Sequence, residues 1–135
     1  MNRRVEKYFP DILKMVNKEF YEEIKGQGIP SEYKGYISTF GAMVIQNGLI
    51  PALAYFEKND ANEKGNRKRI SNIVKNFLKV KGIIKINDNK KLCQYLSEEV
   101  QSKRMVKDKL REIENKVIDI SIAIKLALRT FLEEK

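Results

Sequence analysis

Residues 106–131 read VKDKLREIENKVIDISIAIKLALRTF, and this stretch decides the fold class. Its apolar residues recur at alternating spacings of four and three, which is the heptad pattern of a helix packed along one side. They are Val106, Leu110, Ile113, Val117, Ile120, Ile124, Ala127 and Phe131. The pattern predicts a long final helix from about Lys103 to Leu132. A second apolar stripe, Ile118, Ile122 and Leu126, indicates a helix at the centre of a bundle or one that also contacts another subunit.

The segments before it have the same helical periodicity, with apolar residues three and four positions apart. The predicted helices cover about Asn2 to Lys25, Ser31 to Asn47, a helix that follows at once with Pro51 in its first turn, 67–80, and Lys91 to Gln101. Pro10 either kinks the first helix or marks its real start, and Ser31 is expected to cap the second. Residues 59–66 read as an exposed loop, whereas 83–89 fit either a loop or a short strand. We expect an all-α fold, with residues 1–135 forming a single-domain bundle of about five to six helices.

The composition argues against several functional classes. The chain contains no histidine, the most common general base near neutral pH and the most common metal ligand. Its acidic pairs are adjacent in sequence, so they diverge on a helix and do not form a catalytic pair. Cys93 is the lone cysteine and is compatible with a reducing cytoplasm. The apolar-rich stretch 35–55 is interrupted by polar residues and glycines, unlike a membrane span. We therefore expect a cytoplasmic protein that is not an enzyme and needs no cofactor or metal.

The positive charge is concentrated in one segment. The chain has a net charge of +9, and residues 61–91 alone carry ten Lys/Arg against two Asp/Glu. The 60 residues before this segment have no net charge. A concentrated basic patch is typical of a site that binds a polyanion.

The predicted helix over 67–80 would display this charge on one face. Its apolar residues follow the spacing of an amphipathic helix, and three lysines, Lys68, Lys75 and Lys79, fall on the opposite face. Arg67 and Arg69 flank them. The predicted phosphate-contacting residues are Lys64, Arg67, Lys68, Arg69, Lys75, Lys79 and Lys81. Lysines on a helix face act as point charges, so we expect binding that does not depend on nucleotide sequence.

One stretch, from Tyr33 to Phe56, has a more specific pattern. A tyrosine-led helix is followed by an Asn-Gly-Leu turn and then by a helix rich in small residues. This stretch resembles the small, all-helical subunit of the type III-B CRISPR (Cmr) effector complex. The matching residues are Asn47, Gly48, Leu49, Ala52, Ala54 and Phe56. The order of the helices and the long final helix are also similar to that family.

The resemblance implies a non-catalytic role in antiviral defence. Members of that family stack in a short filament, beside the subunits that hold the guide RNA, and lie along the target RNA without cutting it. The implied partners are the guide and target RNA, other Cmr subunits and further copies of the chain. One alternative is the small subunit of the type III-A complex. The other is a winged-helix DNA-binding regulator, which requires a strand at 83–87 paired with a second strand.

Overall fold

The computed structural model describes residues 2–58 and 66–132, and most of them are α-helical. Seven helices follow one another in these residues: α1 (Arg3–Glu19), α2 (Tyr21–Lys25), α3 (Glu32–Asn47), α4 (Leu49–Glu57), α5 (Lys68–Val80), α6 (Leu92–Gln101) and α7 (Lys107–Thr130). The described residues form no strand, and their β-type pairing is limited to an isolated parallel bridge between Ile29 and Leu132. The all-α prediction is confirmed. None of the helices described has the length and apolar character needed to cross a membrane.

Helix α7 is the element against which most of the others pack. Its most extensive contacts are with α1 and α3. The predicted apolar seam is buried from Ile113 to Ala127. The ends of the seam differ, because Val106 lies just before the helix and is 66% exposed. In the second stripe Ile122 is exposed, while Ile118 and Leu126 are half-buried against the core.

Two predicted helix boundaries are wrong. The first predicted helix is divided at Phe20, whose backbone leaves the helical region while its ring is buried 4.7 Å from the Tyr33 ring. Pro10 does not mark the start of the first helix, because α1 already begins at Arg3 and Pro10 lies inside it. The last helix begins at Lys107 and not at Lys103, because Lys103 has a φ of 63°. This left-handed residue ends α6 and separates it from α7.

Helix α4 begins without a side-chain cap of its own and receives one from α7. The backbone N–H of Leu49 donates to Oε2 of Glu114 at 2.7 Å. Gly48 makes this possible, because its φ of 95° turns the chain and a Cβ there would lie 3.2 Å from the same oxygen. A carboxylate satisfies an unpaired N–H at the positive end of the helix. The Asn47-Gly48 turn is thus structural. Ser31, predicted to cap α3, makes no such side-chain bond.

Removing the borrowed cap should destabilise the protein. We expect Glu114→Ala to lower the free energy of unfolding by about 1–2 kcal/mol, because the Leu49 N–H loses a charged acceptor. Urea unfolding followed by circular dichroism measures this. Glu112→Ala is the matched control, since Glu112 on the same helix pairs with the surface lysines Lys109 and Lys116 and the change should alter stability by about 0.5 kcal/mol or less. Equal stability of the two variants would contradict the capping role.

Candidate nucleic-acid interface

Helix α5 has the orientation that its sequence pattern predicts. It buries its apolar face, which consists of Ile70, Ile73, Val74, Phe77 and Leu78. Its main packing partners are α1 and α4. Lys68, Lys75 and Lys79 lie on the outer face and are half-buried, not fully exposed. Asn72 and Asn76 lie on this face and are exposed. The three lysines therefore lie at the surface of the protein but are partly covered by neighbouring residues.

An acidic residue of the loop after α5 contacts two of these lysines. Lys75 Nζ donates to the backbone carbonyl of Asp88 at 2.8 Å, and Lys79 forms an ion pair with the Asp88 carboxylate. The hydrogen bond from Lys79 holds the pKa of Asp88 below its usual range. Asp88 is fully open to solvent, and exposed ion pairs add little stability. A phosphate group could therefore replace Asp88 as the partner of either lysine.

The loop itself is held by alternate apolar residues. Residues 83–87 form no strand, although Ile84 and Ile86 are buried while Lys85 is exposed. The alternation that suggested a strand therefore reflects an extended segment anchored in the core. The wing that a winged-helix protein needs is not formed, so the prediction of a paired strand at 83–87 is wrong. The anchored loop brings residues 88–91 back beside α5.

Arg69 lies apart from the lysine face and joins α5 to α1 and α2. Its guanidinium group pairs with the Glu23 carboxylate, donates to the Glu19 backbone carbonyl and lies 4.1 Å from the centre of the Phe20 ring. The hydrogen bond from Arg69 lowers the pKa of Glu23. The side chain is only 22% exposed. Its partners therefore indicate a structural role.

The remaining predicted site residues are dispersed. Arg67 is buried, with its guanidinium group 4.1 Å from the centre of the Tyr55 ring. Lys81 is exposed and pairs with Asp11 of α1 at 2.5 Å. Lys64 lies outside the described residues. Of the predicted set, Lys68 and Lys75 share one open pocket on the outer side of α5, and Lys79 is joined to them through Asp88.

Two lysines outside the predicted set also line this pocket. Lys90 and Lys91 line the same cavity of about 180 Å³ as Lys68 and Lys75. We call it the lysine pocket. Lys90 pairs with Glu98 at 3.1 Å, whereas Lys68 and Lys91 make no ion pair within the described part of the chain. The sequence did contain a signal for Lys90 and Lys91, because both are among the ten basic residues counted over 61–91.

The inner end of the lysine pocket is a carboxylate. Glu57, the last residue of α4, is 8% exposed, and its Oε1 accepts the backbone N–H of Cys93 at 3.0 Å. This bond caps α6, which has no side-chain cap of its own. Its Oε2 is buried and has no hydrogen-bond partner in the part of the chain that the structure describes. Burial raises the pKa of Glu57, and it outweighs the opposite effects of the Cys93 N–H and of the positive charges on Lys91, Lys75 and Lys68.

A scan against protein-family models matches residues 5–112 to the family described as CRISPR-associated protein (Cas_Cmr5). The chain belongs to this family. It is the small-subunit family of the type III-B Cmr complex, so the resemblance first drawn from residues 33–56 is confirmed. The match includes most of α1, all of α2 to α6 and the first six residues of α7. Searches of curated proteins and of solved structures gave no significant match.

The structural role of Arg69 in this Cmr-family subunit can be separated from its charge. We expect Arg69→Lys to lower the free energy of unfolding by about 1–2 kcal/mol, since an ammonium group cannot reproduce the fork that reaches Glu23 and Glu19. Binding to RNA through charge alone would be unchanged. Thermal unfolding and RNA titration of the same variant measure both effects. A stable variant with weakened RNA binding would instead place Arg69 in the interface.

Glu57 gives a pH-dependent prediction. Its raised folded-state pKa means that the charged form is less favourable in the folded protein. This unfavourable contribution is present at neutral pH and disappears as pH falls through the folded pKa towards 4.5, the ordinary value. Glu57→Gln, which keeps an acceptor for the Cys93 N–H and carries no charge, should be at least as stable as the wild type at pH 7. That advantage should shrink towards pH 4.5.

Glu57→Ala is the contrasting variant. It leaves the Cys93 N–H without its acceptor and should be less stable than Glu57→Gln by about 1 kcal/mol at pH 7. Urea unfolding at several pH values measures both variants. If the difference in free energy of unfolding between the wild type and Glu57→Gln stays constant across this pH range, Glu57 does not titrate as assigned.

Proposed function

We propose that the chain is a non-catalytic small subunit of a cytoplasmic Cmr effector complex and contacts RNA phosphates through the lysine pocket and the adjoining face of α5. The observation that carries this proposal is the convergence of basic residues from two segments. Lys68 and Lys75 come from α5, and Lys90 and Lys91 come from the loop before α6. In a member of a Cmr family, a patch of this kind fits a polyanionic partner.

RNA binding at this face depends on charge more than on shape. Lysine ammonium groups neutralise phosphates and release counterions, which gives affinity without reading the bases. Lys68 and Lys91 are without ion pairs in the described residues, and the Asp88 interactions of Lys75 and Lys79 are on the surface. Phosphates can therefore reach these groups without breaking a buried ion pair within the described residues.

Assembly with other subunits is the second part of the proposal. A single small interface gives weak affinity, whereas copies arranged along one RNA gain from effective concentration. Exposed apolar side chains support such contacts. Ile122 on α7 is 41% exposed and Ile45 on α3 is 68% exposed, and the two helices pack together. We infer that self-association and contacts with larger Cmr subunits use apolar surface outside the lysine pocket.

Charge reversal tests the RNA interface. We expect Lys68→Glu/Lys75→Glu/Lys79→Glu to reduce affinity for a single-stranded RNA of 12 nucleotides by at least tenfold. The slope of log K against log salt should also become shallower by about 2, since each lost phosphate contact removes about 0.7. Fluorescence anisotropy across a salt series measures both quantities.

A matched triple variant controls for net charge. Lys14, Lys34 and Lys107 are exposed on α1, α3 and α7 and make no ion pair in the described residues. Lys14→Glu/Lys34→Glu/Lys107→Glu changes the net charge by the same amount and should weaken binding far less. Circular dichroism should give both variants a folded helical spectrum. If both triple variants lose the same RNA affinity, the effect comes from the overall charge of the protein, and the proposed site is refuted.

A further inference from the structure

The lysine pocket contains a carboxylate that phosphate binding does not explain. Glu57 lies at its inner end, more than nine-tenths buried, and Oε2 has no hydrogen-bond partner among residues 2–58 and 66–132. A buried acceptor left unpaired is unfavourable. Capping α6 requires only Oε1, which accepts the Cys93 N–H. Oε2 has almost no solvent-accessible surface, but Glu57 lines the pocket, so a donor that displaces its neighbours there would supply the partner that Oε2 lacks among the described residues.

The arrangement of charge restricts what can enter. An anion would be held by the lysines at the rim and repelled by the carboxylate at the inner end. A simple cation would meet the reverse arrangement. The pocket therefore fits a molecule that carries an anionic group at one end and hydrogen-bond donors at the other. A nucleotide is such a molecule, with its phosphate at the sugar and N–H donors on the edge of its base.

We propose that the lysine pocket takes one unstacked guanine nucleotide of the bound RNA, with its base donating to Glu57 Oε2 and its phosphate on Lys75 and Lys91. This inference rests on the proposed function. It adds a base preference at one position to phosphate contacts that are otherwise independent of sequence.

Guanine is the base whose edge suits a carboxylate best. It presents two N–H donors side by side, the ring N1–H and the N2 amino group. Adenine and cytosine place a ring-nitrogen acceptor beside their amino group, and uracil places a carbonyl on each side of its N3–H. Each of these acceptors would face the negative charge of Glu57. In a buried site this repulsion is poorly screened, so the difference between bases is larger than in water.

The volume of the pocket suits a single base, and two lysine side chains at its rim are free to move and admit one. A cavity of about 180 Å³ is smaller than the roughly 300–1,000 Å³ of sites for larger ligands. The Lys68 and Lys91 side chains are not held by ion pairs in the described residues, so they can move aside on the fast timescale of surface rotamers. A base can then reach Glu57 while the phosphate stays at the rim.

The test compares two RNAs that differ by one base. Fluorescence anisotropy gives the affinity of the full chain for a 12-nucleotide oligouridine and for the same RNA with one central guanosine. We expect the wild type to bind the guanosine RNA about tenfold more tightly, the scale of one good base contact. Glu57→Gln should lose this preference, because its amide can place donors against the guanine donors, and should bind oligouridine at least as tightly as the wild type does, because the carboxylate that opposes phosphate is gone.

Two further variants separate the base contact from the phosphate contact. Lys91→Ala should weaken binding of both RNAs to a similar degree and leave their ratio nearly unchanged. Glu112→Gln removes the same charge as Glu57→Gln but lies on α7 and should leave both affinities and their ratio unchanged. Urea unfolding should confirm that each variant is folded. Glu57→Gln keeps the acceptor for Cys93, so folding is expected.

The outcomes distinguish this inference from the function on which it rests. Equal binding of the two RNAs by the wild type would overturn the guanine pocket and leave the phosphate interface standing. A guanosine preference that survives in Glu57→Gln would overturn the role of Glu57. Failure of the wild type to bind either RNA would contradict the proposed function and this inference together.

Discussion

The packing of α7 against α1 and α3 is the constraint on which the rest of the structure depends. It places Glu114 of α7 at the start of α4, where the carboxylate accepts the Leu49 N–H. Helix α4 then ends at Glu57, which accepts the Cys93 N–H at the start of α6. Two helices without side-chain caps of their own are thus positioned by carboxylates from other helices. The lysine pocket lies at the end of this series.

The sequence predicted the helices well because helical spacing is a local property. The apolar spacing of α5 determines both its buried side and the outer position of Lys68, Lys75 and Lys79. The boundaries failed where a local pattern was overridden by tertiary contacts or by the backbone. Phe20 left the helix to pack near Tyr33 and Arg69, and Lys103 adopted a left-handed conformation between α6 and α7.

The site was only partly predictable, because charge alone does not distinguish arginine from lysine. Arg67 and Arg69 lie over aromatic rings, as the flat, weakly hydrated guanidinium group favours. Their partners are far away in the sequence and have no local signature. Lys90 and Lys91 were missed for a similar reason, since the anchoring of Ile84 and Ile86 returns them to α5. Glu57 was detectable as the one charged residue of an otherwise apolar helix, but its contact with Cys93 was not.

The position of Glu57 links the fold to the proposed RNA contact. A carboxylate weakens a phosphate site, so a pocket formed only for phosphate would be better without it. The cap on α6 accounts for one of its oxygens. The three lysines that act on its charge, Lys91, Lys75 and Lys68, are also those that would meet RNA. Withdrawing a lysine towards a phosphate leaves Glu57 less compensated, which favours a ligand that brings a donor of its own. A base that donates to Glu57 would therefore offset the positive charge that Glu57 loses when a lysine turns towards a phosphate.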